Sequence, residues 1–390
     1  MKVAIITPFY RPSIGGVEYI VYHTAKELVK RGYAVHVITL CYDNRWKVIS
    51  NPGTVTEQGI VVHRLNPSFI RLGYATIMRG LKEILQKIDP DIVHCHNLHP
   101  HLFQAIKWKE SMKYRLVAQL HYPVATGLDH FSARLLYRFV IKILVAKQGI
   151  VDFFVAHTNL ERNWLIEEGI SNKRVKVIRY PCIPDSLFNY APTDDIHNRL
   201  SADIVITYIS RIHPRKGQHL LIQASKYLQK ELKDFKIYMA GPISDRRYLK
   251  SLKNMIEKLN LEKHLMLDPR ALSDKEKLDA IASADICAFT STNDYTPVVV
   301  LEALALNTPV VATTVGAIPE LLATDSYDRD LAELVCIVPP VPREIADAIQ
   351  LLISRLNGAS LNKLQRIAFP HKISTLVDSL EKEVYLSPDR

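Results

Sequence analysis

The chain has few cysteines, and they do not form a metal or disulfide framework. Its 390 residues include 5 cysteines, which lie far apart and contain no CxxC pair. Zinc knuckles and disulfide-rich scaffolds need closely spaced cysteines, so both classes are excluded. Unpaired cysteines with mostly apolar neighbours are typical of a reducing compartment, and we therefore expect a cytoplasmic protein.

Long uncharged apolar runs are also absent. No window of 18 residues is both apolar and uncharged, and the best candidate, residues 135–146, contains Arg138 and Lys142. A membrane-spanning helix is therefore not expected. Residues 1–10 hold one lysine and a short apolar run that leads into a turn, which predicts a first strand rather than a secretory signal.

Acidic residues are scarce in the first half of the chain only. Residues 1–190 contain 25 Lys and Arg against 14 Asp and Glu, and residues 191–390 contain 25 against 26. The whole excess of the formal +10 charge therefore lies in the first half, which indicates that the two halves meet different partners. A basic chain could bind nucleic acid, but no RNP, helix-turn-helix or zinc module is apparent, so no nucleic-acid partner is expected.

Short runs rich in Val and Ile alternate with helical patterns along the whole chain. There are thirteen such runs, seven before residue 190 and six after it. Runs that are apolar on both faces are typical of buried parallel strands, and their alternation with helices indicates doubly wound α/β sheets. Two Rossmann-like domains that face each other across a cleft fit the length. We predict residues 1–188 as the first domain, 189–201 as a linker, 202–360 as the second domain, and 361–390 as a helical tail that packs back on the first.

Two glycines and two cations stand at predicted strand-to-helix turns. Gly15 and Gly16 come just before a helix with Glu18 in its first turn, and paired glycines there let backbone N–H groups approach an anion. The alternative is that the two glycines only form a flexible turn between strand and helix. Arg211 and Lys216 lie five residues apart in a turn of the second half, where they form either a diphosphate clamp or a solvated basic loop.

The segment 285–322 is the most informative part of the sequence. Thr296 is predicted as the N-cap of a helix and Pro297 as its first residue, so that the N–H group of Val298 points back toward the strand end. Glu302 lies in this otherwise apolar helix and needs a partner, either a ligand hydroxyl or an Arg or Lys side chain of the segment that contains Arg211 and Lys216. Asp294 precedes it by eight residues. Both acids could alternatively be structural, one as a turn cap and the other as an ion pair.

Histidines are concentrated in the first half. His94 and His96 share one face of a strand, which permits a metal site, but no further ligand set has a recognisable spacing and no metal is expected. His121 ends a predicted strand. It could hydrogen-bond a substrate hydroxyl, act as a base, or be a satisfied histidine at the rim of the sheet.

Together these segments resemble glycosyltransferase family 4, the retaining enzymes of GT-B architecture. Residues 285–322 are similar to the family's Glu-x7-Glu, EA-x-A-x-x-TPVVA and G-x-IPE signature, with Asp294 in place of the first glutamate. Residues 211–217 resemble its R-x-x-x-x-KG segment, and residues 8–18 resemble its P-x-x-GG-x-E loop. The likeness covers nearly the whole chain and implies a nucleotide-sugar donor on the second domain.

The resemblance also implies a role for each matching residue. The donor diphosphate would be held by Arg211 and Lys216. Further contacts would come from Gly15 and Gly16 and from the backbone amides that follow Thr296 and Pro297, beginning with that of Val298. The ribose hydroxyls would bind Glu302, the donor sugar would contact Asp294, and His121 would lie beside the sugar and the acceptor. No metal or other cofactor is implied, because the two cations stabilise the leaving diphosphate.

We therefore expect transfer of a sugar from a nucleoside diphosphate to an acceptor hydroxyl, with retention of the anomeric configuration. A nucleotide-sugar epimerase of the same fold is the alternative. The acceptor should lie on the basic first domain, where Arg134, Arg138 and Lys142 recur every four residues of a predicted helix. A basic amphipathic helix is typical of a membrane surface, although it could be a solvated face. It predicts a peripheral enzyme on the inner face of the cytoplasmic membrane. Its acceptor would be a glycolipid, a lipid-linked oligosaccharide or a polysaccharide precursor.

Overall fold

The structure is a computed structural model. It describes residues 1–13, 15–43, 46–68, 77–121, 131–179, 182–294, 297–322, 334–356, 361 and 364–388, with only the backbone of 131–138. The chain divides into unit 1, which comprises Met1–Pro184 and His371–Arg390, and unit 2, which comprises Asp185–Pro370.

Unit 1 is built on a sheet of eight strands in the order β3-β4-β2-β1-β5-β6-β7-β8. The strands are β1 (Lys2–Ile6), β2 (Ala34–Leu40), β3 (Gly53–Glu57), β4 (Ile60–Leu65), β5 (Ile92–His96), β6 (Arg115–Gln119), β7 (Phe153–Ala156) and β8 (Val175–Val177). All are parallel to their neighbours except β3, which is antiparallel to β4. The apolar runs did not predict β3 because its sequence GTVTE is exposed along its whole length, as an edge strand can be.

Helices cover both faces of this sheet. They are α1 (Gly16–Lys30), α2 (Leu81–Ile88), α3 (Pro100–Met112), α4 (Phe131–Ala146), α5 (Asn159–Glu167) and, after the chain returns from unit 2, α14 (Ile373–Leu380). Alternate residues of β1 serve the two faces: Ala4 and Ile6 pack in one apolar cluster, and Val3 and Ile5 pack in the other with α1 and α14. Burial on both faces explains why the strands read as continuous apolar runs.

The tail is fastened to unit 1 by a charged network. The Arg31 guanidinium donates to Asp378 at 2.7 Å, to Glu381 at 2.5 Å and to the carbonyl oxygen of Ser374 at 2.9 Å. Only the residues from His371 onward belong to unit 1, so the first ten residues of the predicted tail, 361–370, lie in unit 2 instead.

Unit 2 has six parallel strands in the order β11-β10-β9-β12-β13-β14. The strands are β9 (Ile204–Ile209), β10 (Phe235–Ala240), β11 (Leu265–Asp268), β12 (Ile286–Phe289), β13 (Val310–Thr313) and β14 (Val335–Val338). Its helices are α6 (Ile196–Leu200), α7 (Gln218–Glu231), α8 (Arg246–Lys258), α9 (Asp274–Ala282), α10 (Val298–Ala305), α11 (Ile318–Leu322), α12 (Pro342–Leu356) and α13 (Gln365–Ala368). The strand order reverses between β9 and β12, and ligands of such sheets bind beyond the carboxyl ends at that point.

The residues predicted as a linker, 189–201, lie inside unit 2. They include α6, and the segment before it is held by Asp279 of α9. That carboxylate accepts hydrogen bonds from the Tyr190 hydroxyl at 2.7 Å and from the Thr193 N–H at 3.0 Å. The passage between the units therefore falls earlier, at Pro184 and Asp185.

No helix in the described ranges combines the length and apolar character needed to cross a bilayer.

Candidate functional site

The loops that follow β9 and β12 are joined at the point where the strand order reverses. The carbonyl oxygen of Arg215 accepts from the Ser291 hydroxyl at 2.7 Å and from the Thr292 N–H at 2.9 Å. The Thr290 hydroxyl donates to the carbonyl oxygen of Gly217 at 2.9 Å. Gly217 has a φ of +71°, and a Cβ there would lie 1.9 Å from the Thr290 carbonyl oxygen, so this approach requires glycine. The two loops are thereby held in one fixed arrangement, which we call the loop pair.

The two cations predicted to clamp a diphosphate lie on the loop pair. Arg211 is exposed, and its guanidinium makes no hydrogen bond or ion pair with any residue that the structure describes. Lys216 ends the turn Pro214–Lys216, and its ammonium group forms an ion pair with Asp294. The side chains of Lys216 and Asp294 are 19% and 18% exposed. The structure thus brings together a cation and an acid for which separate roles were expected from the sequence.

Helix α10 begins beside the loop pair, one residue later than predicted. Its first residue is Val298, and Pro297, with φ −76° and ψ 112°, is the N-cap rather than the first helical residue. Proline suits this position because its fixed φ tolerates an extended ψ. The side chain of Pro297 cannot accept a hydrogen bond from the first-turn N–H groups. Thr296, predicted as the N-cap, lies outside the described residues.

Glu302, in the middle of α10, is paired with a lysine that the sequence did not single out. Its carboxyl oxygen Oε1 accepts a hydrogen bond of 2.7 Å from Lys277 Nζ of α9, and Glu302 is only 3% exposed. Burial disfavours the charge on Lys277, but the Glu302 carboxylate outweighs it and raises the pKa of the lysine. Lys277 precedes the buried residues Ala280 and Ile281 by three and four positions. This places it on the inner face of α9 and is the signal that could have found it.

In unit 1, the paired glycines lie at the start of α1 as predicted. Gly15 is the N-cap, Gly16 is the first helical residue, and a Cβ on Gly15 would lie 2.2 Å from Oε2 of Glu18. The Glu18 carboxyl group therefore folds over the N-terminus of its own helix. It is buried, and this burial raises its pKa. This contact is with the far end of a flexible side chain, so it does not by itself require glycine at position 15, and the predicted diphosphate contact stays a prediction.

His121 lies beyond the end of β6 and not within the strand, because β6 ends at Gln119. Its backbone is in the left-handed region, with φ +49°. Nε2 of its ring lies 2.8 Å from Nδ1 of His96, and its Nδ1 lies 3.0 Å from Nε2 of His157. Burial and the neighbouring histidines lower the pKa of His121 well below 6.5. To act as a base, the neutral ring would have to break one of these two hydrogen bonds.

His121 belongs to a histidine cluster that we define as His94, His96, His101, His121 and His157. Nδ1 of His94 is 2.7 Å from the hydroxyl of Tyr385, and Nε2 of His101 is 2.9 Å from the carbonyl oxygen of His96. Burial lowers the pKa of His94 to about 4 and the pKa values of His101 and His157 to about 3. The ring of His121 thus bonds those of His96 and His157, whereas His94 and His101 bond a tyrosine hydroxyl and a backbone carbonyl oxygen. Across the described ranges, no group of three or more His, Cys, Asp or Glu side chains is placed to hold a metal ion.

The basic helix predicted to face a membrane is α4. The side chains of Arg134 and Arg138 lie outside the described residues, whereas Lys142 is exposed and its neighbour Phe139 is 63% exposed. The opposite side of α4 packs in the core through Ile141 and other apolar residues. An exposed aromatic ring and an exposed cation therefore occur together on the outer side of this helix.

Comparison with known proteins agrees with this fold and with the sequence motifs. The model of the family described as Glycosyltransferase Family 4 matches residues 14–182, and that of Glycosyl transferases group 1 matches residues 192–366. The GPI3 subunit of phosphatidylinositol N-acetylglucosaminyltransferase from Saccharomyces cerevisiae is 24% identical over 389 residues, which cover 97% of this chain and 80% of the yeast protein. D-inositol 3-phosphate glycosyltransferase from Kineococcus radiotolerans is 28% identical over 225 residues, which cover 54% of this chain and 52% of that protein.

The fold is also found among solved structures. The crystal structure of Anabaena HepE in complex with UDP superposes with a TM-score of 0.75 at 21% identity, covering 97% of this chain and 98% of HepE. The two Rossmann-like units are therefore those of the GT-B fold. With family models that match both units and relatives that align over nearly its whole length, the chain is a member of glycosyltransferase family 4.

Proposed function

We propose that the protein transfers a sugar from a nucleoside-diphosphate sugar to a hydroxyl group of an acceptor that contains an inositol phosphate. The observation that carries the donor half of this proposal is the loop pair of unit 2. It places Lys216, Arg211 and the start of α10 at the carboxyl edge of the sheet, where α/β folds bind their ligands. Two cations beside a helix N-terminus attract a diphosphate.

Donor binding has to replace one ion pair by another. Lys216 forms an ion pair with Asp294, and the diphosphate would take over this cation. Asp294 would then be released toward the hydroxyl groups of the donor sugar, the role that the family resemblance gives it. HepE was crystallised with UDP, which supports a uridine nucleotide as the first donor to test.

We propose a same-face displacement as the chemical step, with no metal or other cofactor. The bond between the anomeric carbon and the diphosphate oxygen breaks, the acceptor oxygen bonds to that carbon, and its proton passes to an oxygen of the leaving diphosphate. Arg211 and Lys216 would stabilise the negative charge that develops on this leaving group. The engagement of both His121 ring nitrogens supports a mechanism in which the phosphate, not the histidine, takes the proton.

The acceptor is proposed from the relatives and from α4. The yeast relative is named for phosphatidylinositol and the Kineococcus relative for D-inositol 3-phosphate, so both names contain an inositol phosphate. A lipid form of this acceptor suits α4, where exposed Phe139 and Lys142 lie in the same helix as Arg134 and Arg138. We therefore propose the lipid-linked acceptor and a peripheral position on the cytoplasmic face of a membrane.

Transfer is tested by incubating the protein with UDP-glucose or UDP-N-acetylglucosamine and either phosphatidylinositol vesicles or inositol 3-phosphate. We expect a glycosylated inositol product with retained anomeric configuration, identified by mass spectrometry and NMR. Replacing Lys216 by alanine should lower kcat/KM by about 100-fold, since it removes a charge that stabilises the leaving group. The matched control is Lys230→Ala at the far end of α7. An inverted product would contradict the mechanism, and isomerised donor without acceptor would favour an epimerase.

Membrane binding is tested separately by sedimentation with vesicles that contain phosphatidylglycerol. We expect binding at low salt that is lost when Arg134, Arg138 and Lys142 are all replaced by glutamine, because the attraction to anionic lipid is electrostatic. A triple Lys-to-Gln variant at Lys226, Lys230 and Lys233 controls for net charge. Absence of binding by the unmodified protein at low salt would contradict the membrane proposal.

A further inference from the structure

Two buried acids of unit 2 differ in how completely their hydrogen-bonding capacity is used. Asp279 accepts from the Tyr190 hydroxyl and the Thr193 N–H at one oxygen, and from the Thr193 hydroxyl and Lys275 at the other. The equally buried Glu302 accepts from Lys277 at Oε1, and its Oε2 makes no hydrogen bond with a described residue. A buried carboxylate normally has its acceptors matched, so Glu302 keeps capacity for a further donor.

The position of Lys277 determines which kind of group can bind to the remaining acceptor, Oε2 of Glu302. Its hydrogen bond of 2.7 Å holds Oε1 in place and gives the buried carboxylate, which is 3% exposed, a counter-charge. An ionised carboxylate only accepts hydrogen bonds, and a neighbouring pair of hydroxyl groups is the matching donor. Without the lysine, the carboxyl group would lose the hydrogen bond that holds Oε1 in one position.

We propose that Lys277 is a positioning residue that fixes Glu302 so that its carboxylate accepts the ribose hydroxyls of the donor nucleotide. This inference rests on the proposed function, because it needs a nucleotide in unit 2. Lys277 touches Glu302 and acts through it. The lysine therefore makes the protein selective for ribose over deoxyribose nucleotides, a property that an ion pair with a purely structural role would not provide.

The test compares nucleotides with and without these hydroxyls. Binding of UDP, ADP and GDP and of their 2′,3′-dideoxy analogues is measured by calorimetry for the unmodified protein and for Lys277→Met, Lys277→Arg and Lys275→Met. Lys275 pairs with Asp279 one half-turn away and is the matched control. Thermal melting of each variant checks that unit 2 is folded. Lys277→Gln, which keeps a neutral donor, replaces Lys277→Met if the latter does not fold.

We expect the unmodified protein to bind the best of the three ribonucleotides about tenfold more tightly than its dideoxy analogue, as for a hydrogen bond to a charged group. In Lys277→Met this preference should fall below about threefold, while Lys277→Arg and Lys275→Met keep it. A tenfold preference that survives in Lys277→Met would overturn the inference and leave the proposed function intact. If none of the three nucleotides binds the unmodified protein, the proposed function fails together with the inference.

Discussion

Acidification should destabilise unit 1 steeply, because its histidine cluster is folded in the neutral form. His94 and His101 are completely buried, His157 is 1% exposed, and burial lowers their pKa values to about 4, about 3 and about 3. In the unfolded chain a histidine titrates near 6.5. Below that pH the unfolded state binds protons that the folded state does not bind. The histidines therefore contribute their full share of the unfolding free energy above pH 6.5, and this share is lost as the pH falls toward the folded pKa values.

The size of the effect follows from these pKa differences. Between pH 7 and pH 5 each of the three histidines costs roughly 2 kcal/mol of unfolding free energy, or roughly 6 kcal/mol together. A whole domain is typically stable by only about 5–15 kcal/mol, so the cluster can decide whether unit 1 stays folded at pH 5. Burial raises the pKa of Glu18, and this shift makes unit 1 more stable as the pH falls. Glu18 is a single group, however, whereas three histidines act in the opposite direction.

Tryptophan fluorescence can follow unit 1 alone. The chain has 3 tryptophans, Trp46, Trp108 and Trp164, and all of them lie in unit 1 and pack against its core. Urea unfolding detected by tryptophan emission should therefore report the stability of unit 1 at pH 7, 6 and 5, while circular dichroism reports both units. The expected result is a fall of several kcal/mol in the unfolding free energy of unit 1, most of it below pH 6.5.

A single substitution tests whether the cluster is the cause. His101→Gln keeps a donor toward the His96 carbonyl oxygen but cannot titrate, so it should reduce the pH dependence below pH 6 by about 1.4 kcal/mol per pH unit. His264→Gln in unit 2 is the control and should leave the tryptophan signal unchanged. The reasoning is refuted if the unfolding free energy of unit 1 differs by less than about 1 kcal/mol between pH 7 and pH 5.

Three further substitutions have defined outcomes. Asp294→Asn frees Lys216 and should raise affinity for UDP several-fold in calorimetry while lowering the transfer rate, so weaker UDP binding would contradict the ion-pair exchange. Gly217→Ala forces a Cβ onto the Thr290 carbonyl oxygen and should cost unit 2 about 3 kcal/mol or more in thermal melting; a melt like that of the unmodified protein would exclude this strain. Arg31→Ala removes the tail network and should cost unit 1 about 2 kcal/mol in tryptophan-detected urea unfolding, with faster proteolysis of the tail. Resistance equal to that of the unmodified protein would show that apolar packing suffices.

The sequence predicted the sheets well because burial is recorded in the sequence pattern. Strands covered by helices on both faces need an apolar residue at nearly every position, and all thirteen apolar runs correspond to strands. The missing strand, β3, has no buried face, so no apolar pattern marks it. The unit boundary was misplaced for a related reason. Residues 189–201 are polar, as a linker would be, but polar side chains also serve to bind Asp279.

The sequence motifs located the residues of the candidate site along the chain, but they did not predict the ion-pair partners of these residues. Family motifs give the places of Lys216 and Glu302 along the chain, and the structure finds both next to parallel strands of unit 2. Their counter-ions lie far away in sequence, since Asp294 follows Lys216 by 78 residues and Lys277 precedes Glu302 by 25. Only the sheet order and the loop pair bring them together. The hypothesis that a cation of the Arg211 loop pairs with Glu302 was therefore incomplete, because Glu302 pairs with Lys277 of α9.

Ion pairs at the proposed site are consistent with the nearly neutral charge of the second half of the chain. In the described part of unit 2, the cation at the proposed diphosphate site and the acid at the proposed ribose site are each already matched by an opposite charge. A site compensated in this way binds a charged ligand by exchanging ion-pair partners rather than by adding a new charge. Exposed Arg211 is the exception, since its guanidinium meets no carboxylate among the described residues. We therefore expect Arg211 to set the rate of donor capture at low salt and Lys216 to set how long the donor stays bound.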